Sequence, residues 1–197
     1  EYARAHPLRQ NRPLEFLLTT NGLNLTPQRA AFLSASDTLI LFSLDGTAVA
    51  HRRFRPTYRG KDATPLSDEH AWERLLEAIQ TLNQSGARWF MNAVIPPADA
   101  KSVMTRYEWA LENNIPALQL NYAVGMEWSD SKSNAYLTGL HSTMKRHEAE
   151  QPDMQLYNWR SECEPVMLSD DLIVDVDGMV LHDGAIFLER GFPELRE

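Results

Sequence analysis

Apolar positions along the chain alternate between short continuous runs and helical stripes. Leu14–Thr20 is β-prone, with Phe16, Leu17 and Leu18 followed by Thr19 and Thr20, and the turn dipeptide Asn21-Gly22 closes it. Thr26-Pro27 is a helix start, Thr as N-cap and Pro in the first turn, opening a short helix with Ala30, Ala31, Phe32 and Leu33. Leu39–Leu44 is an apolar run of buried-strand length. The stretch from Phe54 to Leu66 is polar and turn-rich and reads as a loop over strand ends. Ser67 or Asp68 then caps a helix over His70–Gln84. Its residues Trp72, Leu75, Leu76, Ile79 and Leu82 share one face, and Gly86 stops it.

The alternation continues. Arg88–Ile95 predicts a strand broken by Pro96-Pro97. A helix follows over Ala98–Asn113, with Asp99 in its first turn and Val103, Tyr107 and Leu111 on one face. Ala117–Ala123 predicts a fourth strand ending before Gly125, and Asn134–His147 another helix. Strand followed by helix, repeated, predicts an α/β fold with parallel strands. Beyond residue 150 the pattern changes to hairpin-like runs. Leu172–Val176 and Met179–Leu181 flank Asp177-Gly178, the signal for a primed two-residue turn, and a second Asp-Gly follows at Asp183-Gly184. The expected organisation is residues 1–150 as one α/β body and residues 151–197 as a C-terminal hairpin extension of it.

Composition narrows the class. The chain has 197 residues, 43% of them hydrophobic and 23% charged, as in a folded globular protein. A net charge of -8 argues against general nucleic-acid binding, which needs a basic footprint. The single cysteine, Cys163, can build no disulfide framework, and one thiol cannot ligate an iron–sulfur cluster or a structural zinc. No apolar run reaches the length of a membrane span and no signal peptide is visible, so a cytoplasmic setting is expected. The chain opens at Glu1 inside what reads as the end of a helix, Tyr2–His6 stopped by Pro7. That start predicts that it is part of a longer protein.

In a parallel α/β array ligands collect at the carboxyl ends of the strands. In this chain those ends are Thr19-Thr20-Asn21-Gly22, Ser43-Leu44-Asp45-Gly46, Asn92-Ala93-Val94 and Gln119-Leu120-Asn121-Tyr122. Each carries hydroxyl, amide or carboxylate groups where a structural strand could have stayed apolar. Ser43 and Asp45 are two apart and would share a face of an extended strand. The cationic segment His51-Arg52-Arg53-Phe54-Arg55 follows. Read alone, this stretch is either a small-molecule site or a buried strand leading into an ordinary Asp-Gly turn.

The ordered set Thr20-Asn21-Gly22, then Ser43-Leu44-Asp45-Gly46 with His51 and Arg55, resembles the radical S-adenosylmethionine superfamily, in particular its sulfatase-maturating-enzyme-like branch. The helix His70–Gln84, with Gly86 and a strand behind it, fits that likeness, which covers roughly Leu14–Tyr122. The resemblance implies a partial (β/α) barrel, the four strand–helix units of this chain matching the third to the sixth of six. The cluster-binding cysteine motif and the Gly-Gly-Glu motif of the earlier units are not in this sequence. A 4Fe–4S cluster with ligands outside this chain, fed by an external electron donor, would cleave S-adenosylmethionine to methionine and a 5′-deoxyadenosyl radical that takes hydrogen from a substrate the resemblance leaves open, a peptide or protein among the candidates. By matching position, Ser43 and Asp45 would face the methionine or ribose end of the cofactor. Arg55 would bind its carboxylate, Asn92 would meet the ribose or adenine, and Thr20 and Asn21 would line the cavity. The resemblance assigns no catalytic residue and no metal ligand within the chain.

Two other classes stand beside this one: a non-catalytic binding or scaffold relative, and an unrelated α/β enzyme that binds a phosphorylated small molecule. Leu172–Gly178 also mimics the nucleophile strand of haloacid dehalogenase-like phosphatases, through Asp175 and Asp177, but too little chain follows for that family's later motifs. The hairpin is the preferred reading.

Overall fold

The computed structural model describes residues 16–55, 68–159, 172–174 and 180–182. The chain divides into two compact units, Glu1–Trp159 and Arg160–Glu197. The first is built on a five-stranded sheet in which neighbours in sequence are neighbours in space. Its strands are β1 (Phe16–Thr20), β2 (Thr38–Ser43), β3 (Trp89–Ile95), β4 (Ala117–Tyr122) and β5 (Gln155–Leu156), and every pairing is parallel. The helices between them are α1 (Pro27–Ala35), α2 (Ala48–Phe54), α3 (Asp68–Ser85), α4 (Val103–Glu112) and α5 (Asp130–Glu150). Parallel strands alternating with helices are what the sequence pattern predicts, and in an open sheet they are consistent with the partial α/β barrel that the resemblance implies.

Local chemistry explains the boundaries. Thr26 caps α1 by accepting the Arg29 N–H, with Pro27 in the first turn. Thr47 does the same for α2 through the Ala50 N–H at 3.3 Å. On the sheet, Ile40, Phe42 and Leu44 of β2 and its exit share a face with Met91, Ala93 and Ile95 of β3 and with Leu118 and Leu120 of β4. Leu75, Ala78, Ile79 and Leu82 of α3 and Val103, Tyr107 and Ala110 of α4 close over that face. Phe42, Met91 and Leu118 lie abreast and are fully buried, each worth about 1.5–3 kcal/mol of burial. Tyr136 of α5 reaches the same core, and its hydroxyl donates to the Leu120 carbonyl at 2.9 Å.

Several sequence expectations change in the folded chain. The cationic segment from His51, to which the sequence pattern assigns no element, lies in α2 as far as Phe54, where the loop is expected to begin; Thr47 supplies its N-cap. The helix expected over Ala98–Asn113 starts as a 3-10 turn, Pro97–Ser102, with Asp99 off helical geometry; α4 proper begins at Val103. A fifth parallel strand, Gln155–Leu156, is not signalled by the sequence: two residues show no period, and tertiary pairing with Ala117 and Leu118 makes the strand. Among the described residues no helix is long and apolar enough to cross a membrane.

The second unit contains an antiparallel pair, β6 (Leu172–Val174) and β7 (Val180–His182), as expected for a hairpin. Its register sets Val174 opposite Val180. The residues expected to form its turn, Asp177-Gly178, lie outside the described residues. Tyr2–Pro7, Leu14, Cys163, Asp175, Asp177 and Asp183-Gly184 lie outside the described residues.

Candidate functional site

Register decides which side chains share a surface. Ser43 stands opposite Asn92, and Asn92 opposite Gln119, so the three form a polar row that starts at the carboxyl end of β2 and crosses the middle of β3 and β4. They lie on the face opposite the helix-packed one, since Phe42, Met91 and Leu118 occupy the alternate positions. Asn121, two residues beyond Gln119, joins the row by donating from Nδ2 to Asn92 Oδ1 at 2.8 Å. Ser43 is buried, while Asn92, Gln119 and Asn121 are half-buried. Lower on the same face the strands turn apolar, with Leu41, Phe90 and Ala117, and the Phe90 ring packs 4.9 Å from that of Tyr157.

Asp45 lies just past β2 and is 2% exposed. Its Oδ1 accepts the Val94 main-chain N–H at 3.0 Å and its Oδ2 accepts Arg55 Nε at 2.8 Å. Its own N–H donates to His51 Nδ1 at 3.5 Å. His51 and Arg55 are four residues apart, one at each end of the last turn of α2, so the helix grips Asp45 by main chain and side chain together. Burial holds His51 below the usual imidazole value; Asp45 opposes that shift and Arg55 adds to it. A neutral ring is the form that can accept at Nδ1. The ring also sits 5.8 Å from that of Trp72, which packs 5.9 Å from Trp109.

The site residues expected from the sequence therefore separate. Ser43 and Asn92 come together on one face. Asp45 and Arg55 come together as an ion pair, with both carboxylate oxygens engaged, so Asp45 clamps β2, β3 and α2 together. Thr20 stands opposite Phe42, on the helix-packed side, and its Oγ1 accepts the Gly22 N–H at 3.1 Å. Asn21 is exposed, and its Oδ1 accepts the Leu23 N–H at 3.3 Å. Thr20 and Asn21 thus form the turn after β1, and it is Thr19 that shares the face of Leu41. In the sequence Gln119 and Asn121 are visible only as one strand end among four. Counting register from Ser43 through Asn92 would have selected them, but register is a tertiary fact.

Only one cysteine, Cys163, is present, and among the described residues no group of three His, Cys, Asp or Glu side chains could hold a metal ion. These residues do not fit a 4Fe–4S cluster as its ligands. The row itself offers neutral hydroxyl and amide groups, which can donate and accept hydrogen bonds.

No family model matches the chain and no curated protein matches it in sequence. Solved structures do match its fold. Native anSMEcpe with bound AdoMet (S-adenosylmethionine), an anaerobic sulfatase-maturating enzyme, aligns at TM-score 0.69 and 18% identity over 87% of this chain and 51% of that one. The same protein with AdoMet and the Kp18Cys peptide aligns at TM-score 0.69 and 17% identity, over 89% and 52%. Streptococcus suis SuiB bound to S-adenosylmethionine aligns at TM-score 0.51 and 11% identity, over 79% and 38%. The chain spans about half the length of anSMEcpe. At these identities the likeness is one of fold alone, a partial α/β barrel.

Proposed function

We propose that this chain is the S-adenosylmethionine-binding strand-end portion of a radical S-adenosylmethionine enzyme whose cluster ligands lie outside these 197 residues. The observation that carries this reading is the polar row Ser43, Asn92 and Gln119, set abreast by register across three parallel strands and beginning at the carboxyl end of β2. The motif likeness of Thr20–Gly22 and Ser43–Gly46, and the fold shared with AdoMet-bound anSMEcpe, support it.

In this reading Ser43 and Asn92 hold the hydroxyl-bearing part of the cofactor, and Gln119 and Asn121 extend the polar row toward β4. Arg55 spends Nε on Asp45, and its Nη nitrogens, which take no part in that bond, face the cofactor carboxylate. Asp45 and His51 hold that arginine and the β2 exit in place. Thr20 and Asn21 keep the turn after β1 closed. When bound, S-adenosylmethionine supplies radical chemistry for hydrogen abstraction, and the chain's residues bind and orient it. A peptide or protein segment is the substrate class we infer, by analogy with the peptide bound to anSMEcpe.

Isothermal titration of the full-length protein with S-adenosylmethionine tests this. Two neutral hydrogen bonds lost together in Ser43→Ala/Asn92→Ala should weaken binding by about tenfold. Unchanged affinity in the double variant, or no binding by the parent, removes the proposal.

A further inference from the structure

One buried cation stands apart from the clamp just described. Arg106 lies in α4 on the core stripe Val103, Arg106, Tyr107 and Ala110, and is 1% exposed. Its Nη2 donates to Asp99 Oδ2 at 2.6 Å and its Nη1 donates to Ser102 Oγ, both on the 3-10 turn that leaves β3. Among the described residues its Nε is buried without a hydrogen-bond partner. Hydrogen bonding alone therefore leaves the placement of this side chain incompletely explained.

The stem supplies the rest. Gly46 adopts φ +87, and a Cβ there would come within 2.9 Å of Arg106 Cγ and 3.5 Å of its Cα and Cβ. The exit of β2 thus rests directly on the arginine stem. A cavity of about 190 Å³ lies alongside, bounded by Thr47, Ala50, Arg53, Asp99, Ser102 and Arg106. Removing the stem gives the turn room to sink.

We propose that Arg106 is a positioning residue for the candidate site. Its stem supports the Leu44–Gly46 turn and so keeps the Asp45 carboxylate on the Val94 N–H and on Arg55. Its guanidinium fixes the stem by gripping Asp99 and Ser102, which ties the exit of β3 to the exit of β2. The bearing on cofactor binding rests on the function proposed above; the support of the turn does not.

Amide hydrogen exchange on the ligand-free full-length protein tests the contact. Arg106→Ala should raise exchange at Val94 by about tenfold or more relative to the β3–β4 ladder amides, the mark of local rather than global opening. Arg106→Met keeps the stem and should stay within about threefold of the parent at Val94. Exchange at Val94 that only follows the ladder, or equal opening in Arg106→Met, overturns the proposal. Should Arg106→Ala not fold, Gly46→Ala presses the same contact from the other side and must show the same selective rise at Val94; without it the proposal falls. Titration with S-adenosylmethionine adds the functional arm, with Arg106→Ala weakened and Arg106→Met spared. If the parent binds no S-adenosylmethionine while the exchange pattern holds, the proposed function fails and the positioning role stands.

Discussion

The carboxylate of Asp45 accepts Arg55 Nε at 2.8 Å across ten residues of chain, with Asp45 buried and the Arg55 side chain about one-third exposed. One end of this pair closes the β2 exit onto Val94 and the other ends helix α2. Removing the carboxylate would leave the Val94 N–H and the Arg55 guanidinium without their partner. Asp45→Ala is expected to destabilise the protein by about 2–3 kcal/mol, a figure kept below that of a fully buried pair because Arg55 reaches solvent. Asp45→Asn, which retains an acceptor for Val94, should cost less. Urea unfolding of the two variants checks the order, and an equal loss in both would remove the clamp.

His51 gives the clamp a pH dependence. Its folded-state pKa lies below 6.5 because of burial, so the neutral ring is favoured on folding. That contribution to stability is present above pH 6.5 and is lost as pH falls from there through the lower folded value. His147 is shifted in the same direction by its own burial and adds to the effect. Unfolding followed from pH 8 to 5 should show stability falling on the acid side, with a shallower slope in His51→Gln measured against a His147→Gln control. A slope unchanged by His51→Gln would separate His51 from the effect.

Gly22 holds the turn after β1 with φ +76, and a Cβ there would collide with the Phe42 ring in the core. Gly22→Ala is expected to cost about 1–3 kcal/mol, from backbone strain and from displacement of a fully buried ring. Thermal unfolding measures the loss. A melting temperature equal to that of the parent would mean that the turn relaxes freely.

Tyr136 tests how α5 is tied to the sheet. Burial pushes its hydroxyl up to about 12, with Tyr122 adding a smaller rise, and it donates to the Leu120 carbonyl. Tyr136→Phe should lose about 1 kcal/mol at neutral pH. Because the folded pKa is raised, the protonated form is favoured on folding. Its stability contribution is complete below pH 10 and lost as pH climbs toward 12. Alkaline unfolding of parent and variant should converge over that range.

The sequence alone determined the strand–helix alternation, because a buried parallel strand and an amphipathic helix have distinct apolar periods, as in Leu39–Phe42 and in the stripe Trp72–Leu82. It also determined the Thr26-Pro27 start of α1 and the four polar strand ends, since those depend on neighbouring residues. Tertiary structure decided the rest. It made Gln155–Leu156 a strand, a state that two residues acquire only from a partner. It turned Thr20 toward the core and aligned Ser43 with Asn92 and Gln119, because register between strands far apart in sequence is set by packing. And it gathered the partners of Asp45, at positions 51, 55 and 94, which converge only once β2, α2 and β3 have met.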